Sequence, residues 1–323
     1  MSEPVLQVQN LTVEYHTTRG PVHAARDISF DLHPGESLGL VGESGCGKTT
    51  VALALLRILP DNGLILRGSI RLNGTDLVTI SERQMAAHRW RDISMIFQAA
   101  MNSLNPVYPV IDQIVEAIQT HEPLSAPAAR ARAADLFQLV GLDTALLGRY
   151  PHEYSGGMRQ RAVIAMALAC NPKVVIADEP TTALDVLVQE RILREMRRIQ
   201  TERQMGMMYI SHDVAVIAGV SDTVGVMYAG QLVEKGPVRD IFARPIHPYT
   251  NALLQSVPSV RGPRHALQAL AGDPPDLMEP PPGCPFAPRC PRVLERCHAE
   301  PPPTAGDDRH WGLCWNPVPE SAP

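Results

Sequence analysis

Residues 42–50 read GESGCGKTT, which fits G-x-x-x-x-G-K-[ST] with Gly42, Gly47, Lys48 and Thr49 at the fixed places. The preceding ESLGLVG (36–42) reads as a buried strand, and KTTVALALLRIL (48–59) has helical length and composition. Strand, glycine loop and helix in that order is the context this motif requires. Glycines let the backbone curl until successive N–H groups converge on one anion, and the helix start adds positive potential there. The segment therefore predicts a cradle for a nucleotide's phosphates, formed by Gly42, Ser44, Gly45, Gly47, Lys48, Thr49 and Thr50. In such a cradle Lys48 reaches the outer phosphates and the Thr49 hydroxyl ligates Mg2+. A plain glycine turn is the competing reading, and the agreement of motif with context sets it aside. Cys46 reads as a small filler, with a reactive thiol as the alternative because helix starts lower thiol pKa.

A second run, VVIADEP at 174–180, is apolar, too short for a helix, and ends in acids. It reads as a central parallel strand. Asp178 at its end suits Mg2+, and Glu179 suits the orienting and deprotonation of a water. A core strand with a solvated acidic end is the plainer alternative. Short strands at 5–15, 92–98 and 207–213 and a hairpin at 224–236, with Ala229-Gly230 at its turn, complete the strand pattern. They alternate with helical stretches at 110–170 and 187–203. That alternation implies an α/β layer with a parallel sheet and a helix-rich insert.

Composition narrows the classes. Apolar residues make up 45% and charged residues 20%, so disorder as the main state is excluded. A membrane-spanning helix needs roughly 20 apolar residues, and no such run is present. MSEPVLQVQN has neither a basic start nor an apolar core, so no signal peptide is expected. The net charge of −5 argues against a strongly basic nucleic-acid binder. Residues 271–323 hold eight acids, four arginines, 14 of the 30 prolines and four of the six cysteines, which marks a second structural unit.

At YSGGMRQR (154–161) the chain resembles the signature loop of ABC-transporter ATPases, with Tyr154 and Met158 replacing the usual leucine and glutamine. The resemblance implies a P-loop ABC-type α/β domain with a mixed sheet over about residues 1–240. It carries a helical subdomain at about 99–170. It implies that Ser155, Gly156 and Gly157 cap the γ-phosphate of an ATP held by the opposite subunit; Ser155 also reads as a plain helix N-cap. Gln98 resembles the glutamine that contacts Mg2+ or the attacking water, where a membrane partner presses. Asp185, in TTALDV (181–186), resembles the residue that crosses the dimer interface. His212 in YISHD resembles the switch histidine on the γ-phosphate, and Tyr15 the aromatic that stacks on adenine; each also reads as an ordinary structural residue. Catalysis would thus fall to Glu179, His212 and Gln98, and Mg2+ to Thr49, Gln98 and Asp178.

SLNPVYPV (103–110), HPYT (247–250) and GCPFAPRC (283–290) narrow the resemblance to ATPase subunits of dipeptide, oligopeptide and nickel importers. The MRQR run is more like the first of that system's two paired ATPases. The implied assembly holds two transmembrane permease subunits and a sibling ATPase in a heterodimer. An extracytoplasmic binding protein joins indirectly, nucleic acid plays no part, and the place is the cytoplasmic face of the plasma (inner) membrane. Peptides are the expected cargo, with nickel or another small cargo as the alternative within the family. A soluble ABC ATPase acting on nucleic acid or ribosomes, an exporter ATPase and a silent regulatory subunit are the rivals outside it. One phosphate loop, the cysteine tail, and an intact Glu179 with His212 speak against these in turn.

The remaining 241–323 reads as a small irregular extension. Cys284, Cys290, Cys297 and Cys314 are spaced C-x5-C-x6-C-x16-C, without the C-x2-C knuckles of common zinc sites. Four thiolates with longer gaps can wrap a [4Fe–4S] cluster, the group that the importer resemblance also implies. Zinc, and free thiols or disulfides, stay open beside it.

Overall fold

The computed structural model describes residues 3–98, 103–182, 184–256, 270 and 272–319. In chain order the strands are β1 (Leu6–Thr17), β2 (Gly20–Leu32), β3 (Ser37–Val41), β4 (Gly63–Leu72), β5 (Thr75–Asp76) and β6 (Ile93–Ile96). They continue with β7 (Val174–Asp178), β8 (Gly206–Ile210), β9 (Thr223–Tyr228), β10 (Gln231–Pro237), β11 (Thr304–Gly306) and β12 (Trp311–Leu313). The helices are α1 (Lys48–Leu55), α2 (Glu82–His88), α3 (Val110–His121), α4 (Ala126–Leu139), α5 (Gly156–Ala167), α6 (Val186–Arg203), α7 (Val214–Val220), α8 (Val238–Ala243) and α9 (Pro248–Gln255).

The chain forms two compact units. The first holds residues 1–6, 31–36 and 71–209; the second holds 7–30, 37–70 and 210–323. In the first unit β7 lies between β8 and β6. It runs parallel to β6, from Ile93 opposite Val174 to Ile96 opposite Ala177. All five β7 residues are buried, which is why its sequence is a continuous apolar run rather than an alternation. Helices α3, α4 and α5 pack on one another in the same unit, burying Ile114, Ile118, Ala133, Phe137 and Ile164. The helical insert thus follows the apolar spacing of the sequence, although residues 99–102, with which its expected span begins, lie outside the described residues.

In the second unit the strand order is β11-β12-β10-β9-β3. β3 and β9 are parallel, β9 and β10 form an antiparallel hairpin, and β12 adds to β10 antiparallel. The row is mixed, as the resemblance implies. The hairpin turns at Ala229 (φ 47°) and Gly230 (φ 77°), two successive left-handed residues that match the twist of the flanking strands. A separate layer orders β2-β1-β4 beside the row, and β4 ends in the short pairing with β5.

Sequence periodicity does not anticipate β2 or β4. β2 alternates cleanly only in its second half, and Leu64 and Leu66 of β4 point to solvent at 48% and 49% exposure. The tail also holds more than its composition suggests. β11 and β12 are three residues each, too short for a periodic signal, yet they extend the row from β10.

Candidate functional site

The phosphate loop lies in the second unit. Gly42, Gly45 and Gly47 all take positive φ, at 153°, 80° and 100°. A Cβ at Gly47 would stand 2.1 Å from the Ala24 carbonyl oxygen, so only glycine fits there. A Cβ at Gly45 would meet nothing within 4 Å, so that side of the loop opens outward. Helix α1 starts at Lys48 with no side chain capping its first turn. The start of a helix carries positive potential, which favours an anion there. Lys48 is buried, its Nζ donating to the carbonyls of Gly42 (2.7 Å) and Glu43 (2.9 Å) and to Cys46 Sγ (3.4 Å). Burial pushes the Cys46 thiol up despite the lysine, so the residue packs rather than reacts. The Tyr15 hydroxyl donates to Thr50 Oγ1 at 3.3 Å, placing the aromatic against the first turn of α1. His212 is exposed two residues after β8.

Glu43, inside the loop, is held by residues that the motif does not include. The Tyr249 hydroxyl, at the start of α9, accepts from the Glu43 N–H at 2.9 Å. Arg289 Nη1 and Nη2 donate to the two Glu43 carboxylate oxygens at 2.7 and 2.9 Å, and Nη1 also donates to the Tyr228 hydroxyl at 3.1 Å. The paired carboxylate raises the Arg289 pKa further above its ordinary value. Tyr228, Tyr249 and Phe286 form an aromatic cluster with centroids 4.5 to 5.4 Å apart. HPYT supplies Tyr249 and GCPFAPRC supplies Phe286 and Arg289, while Tyr228 ends β9; their spacing carries no sign that they converge on the loop.

The other candidates lie in the first unit. Asp178 ends β7 and is buried. Glu179 follows with φ 48°, a left-handed conformation that is uncommon for a non-glycine residue, and its Oε2 accepts from the Thr182 hydroxyl at 2.8 Å. Ser155 caps α5, accepting from the Met158 N–H at 3.3 Å, and Asp185 caps α6, accepting from the Val188 N–H at 3.0 Å. The plain capping roles are therefore present at both. Gly156 and Gly157 open α5, and a Cβ at 157 would stand 2.8 Å from Val188 Cγ1, so glycine lets α5 approach α6. Gln160 of α5 is buried and donates to the Pro180 carbonyl, which ties α5 to the turn after Glu179. Gln98 is exposed.

The tail cysteines are all free thiols. Two of the sulfurs accept a backbone N–H: Cys297 from Leu294 at 3.4 Å and Cys314 from Asn316 at 3.3 Å. Burial pushes Cys284 and Cys314 up to about 11, and the other cysteines add to the rise. Among the described residues, no three or more His, Cys, Asp or Glu side chains are grouped to hold a metal ion.

Comparison with known proteins places this geometry. Residues 25–182 match the ABC transporter family, and residues 233–297 match the oligopeptide/dipeptide transporter C-terminal region. The dipeptide transport ATP-binding protein of Bacillus subtilis is 46% identical over 317 residues, covering 97% of this chain and 95% of that protein. The oligopeptide transport ATP-binding protein of Salmonella typhimurium is 43% identical over 318 residues, covering 98% and 95%. A dimeric ATP-binding cassette in a post-hydrolysis state shares the fold, with a TM-score of 0.65 at 22% identity over 72% of this chain and 99% of that one. The chain belongs to the ABC-transporter ATPases, in the branch of the dipeptide and oligopeptide transport ATP-binding proteins.

Proposed function

We propose that this ABC ATPase energises import of di- and oligopeptides through a multisubunit transporter at the cytoplasmic face of the plasma (inner) membrane. The observation that carries the reading is the extent of the likeness: relatives named for peptide transport align over nearly the whole chain, tail included. The assembly pairs this chain with a sibling ATPase and two transmembrane permease subunits, fed by an extracytoplasmic binding protein. Phe97, Val107 and Tyr108 are exposed apolar side chains flanking Gln98 in sequence, which suits a permease pressing there. No described helix is long and apolar enough to cross a membrane. The nucleotide-binding domain spans about 1–240, and 241–323 is the transporter-specific extension.

In this reading Gly42, Ser44, Gly45, Gly47, Lys48, Thr49 and Thr50 bind the ATP phosphates, and Tyr15 carries the adenine. Thr49, Asp178 and Gln98 would hold Mg2+, which neutralises charge developing on the phosphates. Glu179 takes the proton of the attacking water, and its left-handed backbone, braced by Thr182, fixes where the carboxylate points. His212 senses the γ-phosphate. Ser155, Gly156 and Gly157 cap the γ-phosphate of the ATP in the opposite subunit, with Asp185 at the same interface. ATP binding draws the pair together, and hydrolysis releases it.

The four tail thiols suit a [4Fe–4S] cluster. A four-iron cube holds its thiolates further apart than a single ion does, and four cysteines complete its ligand set. When bound, the cluster would cross-link a tail with few apolar residues and so stabilise its fold.

The test uses Glu179→Gln as bait in gently solubilised native membranes. The variant is expected to retain ATP, to lose about a hundredfold or more of its hydrolysis, and to co-purify with two polytopic membrane proteins. Wild-type turnover would remove Glu179 from the base role. Recovery of ribosomal or DNA-repair proteins without a membrane partner would overturn the transporter reading.

A further inference from the structure

A carboxylate inside a phosphate loop is an electrostatic problem. Glu43 follows the first glycine of the motif, in a loop that must accept a polyanion. Its charge opposes that of the ligand and, partly buried, is poorly screened by water. The structure shows an answer that comes from the far end of the chain. The Arg289 guanidinium, 5% exposed, meets both Glu43 oxygens in a two-pronged pairing, while Glu43 itself is 26% exposed. Such a fork neutralises the carboxylate and also fixes its direction. The Tyr249 hydroxyl holds the Glu43 N–H, and Lys48 Nζ lies on the Glu43 carbonyl. One loop residue is thus held at its N–H, its carboxylate and its carbonyl.

The backbone around Arg289 fixes it for this role. It ends a short 3-10 turn, Ala287–Arg289, whose N–H donates to the Phe286 carbonyl at 2.9 Å. Phe286 is fully buried against Tyr228 and Tyr249, so the turn cannot drift. The guanidinium also lies 5.8 Å from the Tyr228 ring centroid.

We propose that Arg289 is a positioning residue of the phosphate loop: it cancels the Glu43 charge and turns that carboxylate aside so that the loop admits ATP. The ATP affinity of the loop is therefore set in part by the C-terminal extension. The inference rests on the reading of residues 42–50 as the ATP-phosphate site, and Lys48→Ala serves as the control for that reading.

The experiment is a double-mutant cycle on the full chain, with ATP affinity and steady-state hydrolysis measured for Arg289→Ala, Glu43→Gln and the pair. Arg289→Ala is expected to weaken ATP binding and raise KM by about tenfold, with kcat changed less than about threefold. Glu43→Gln alone should stay within about twofold of wild type, since the amide still accepts from Arg289. The pair should recover to within about twofold of Glu43→Gln, because no uncompensated charge remains. The Arg289→Ala defect should also shrink as salt rises. A merely structural arginine would show no recovery in the pair, and that result would overturn the proposal. So would wild-type affinity in Arg289→Ala while Lys48→Ala loses ATP. If Lys48→Ala keeps ATP, the underlying site reading fails instead. Should Arg289→Ala not fold, Arg289→Lys is read by the same rule: it keeps the charge, loses the fork, and is expected to show a smaller loss that Glu43→Gln again removes.

Discussion

His247 is almost wholly buried at the start of α9, where its Nδ1 accepts from the Tyr249 N–H at 3.0 Å. Burial disfavours the imidazolium and pushes the pKa down to about 3. The ring is therefore neutral in the folded chain at every ordinary pH, and neutrality is what leaves Nδ1 free to cap the helix. The linkage has a definite sign. Between about pH 6.5 and the folded value, the unfolded chain takes up a proton that the folded chain refuses, so stability falls on acidification. One such proton is worth about 1.4 kcal/mol per pH unit, or about 2 kcal/mol between pH 6.5 and 5. His247→Asn retains a capping acceptor and has no titrating group. Its thermal midpoint is expected to fall less steeply than that of wild type below pH 6.5. Parallel slopes would show that His247 titrates normally.

At the level of elements, the contact between α5 and α6 tolerates little added volume. Gly157 lets the first turn of α5 lie against Val188 of α6, where a methyl group would stand 2.8 Å from Cγ1. Gly157→Ala is expected to cost about 1–3 kcal/mol, because the two helices must separate or Val188 must turn to a strained rotamer. Adding Val188→Ala should restore most of the lost thermal midpoint. Failure of that rescue would place the cost in the α5 backbone rather than in the contact. The same elements show what a sequence discloses. Strand β7, the loop before α1 and the β9-β10 hairpin were legible because each is written in adjacent residues: an unbroken apolar run, spaced glycines, and Ala229-Gly230. The cap at Ser155 is local in the same way. β4 was not legible, because Leu64 and Leu66 face solvent and break the pattern that burial would impose. The Glu43–Arg289 pairing joins residues 246 positions apart, and no local property of either predicts the other.

At the scale of the whole molecule, the tail is part of the unit that carries the phosphate loop, although its composition sets it apart. Its hold has three strands of cause. β12 pairs with β10, so the backbone is continuous with the sheet. Glu234, fully buried on β10, accepts from the N–H groups of Ile246 (2.7 Å) and His247 (2.8 Å) and meets His310 Nε2 at 2.8 Å, which joins the sheet, the start of α9 and the tail. Phe286 then packs on Tyr228 and Tyr249, edge-on to both at 5.3 and 5.4 Å. Of the three, only Phe286 also sits behind Tyr249 and Arg289, two of the groups that hold Glu43. Truncating it should therefore do more than destabilise. Phe286→Ala is expected to cost about 3–5 kcal/mol locally, read as faster amide exchange in residues 246–256 and 284–298. It should also weaken ATP, since Tyr249 and Arg289 lose their common backing. Faster exchange with unchanged ATP affinity would mean that the two polar contacts alone hold the loop, and that the aromatic cluster serves only the tail.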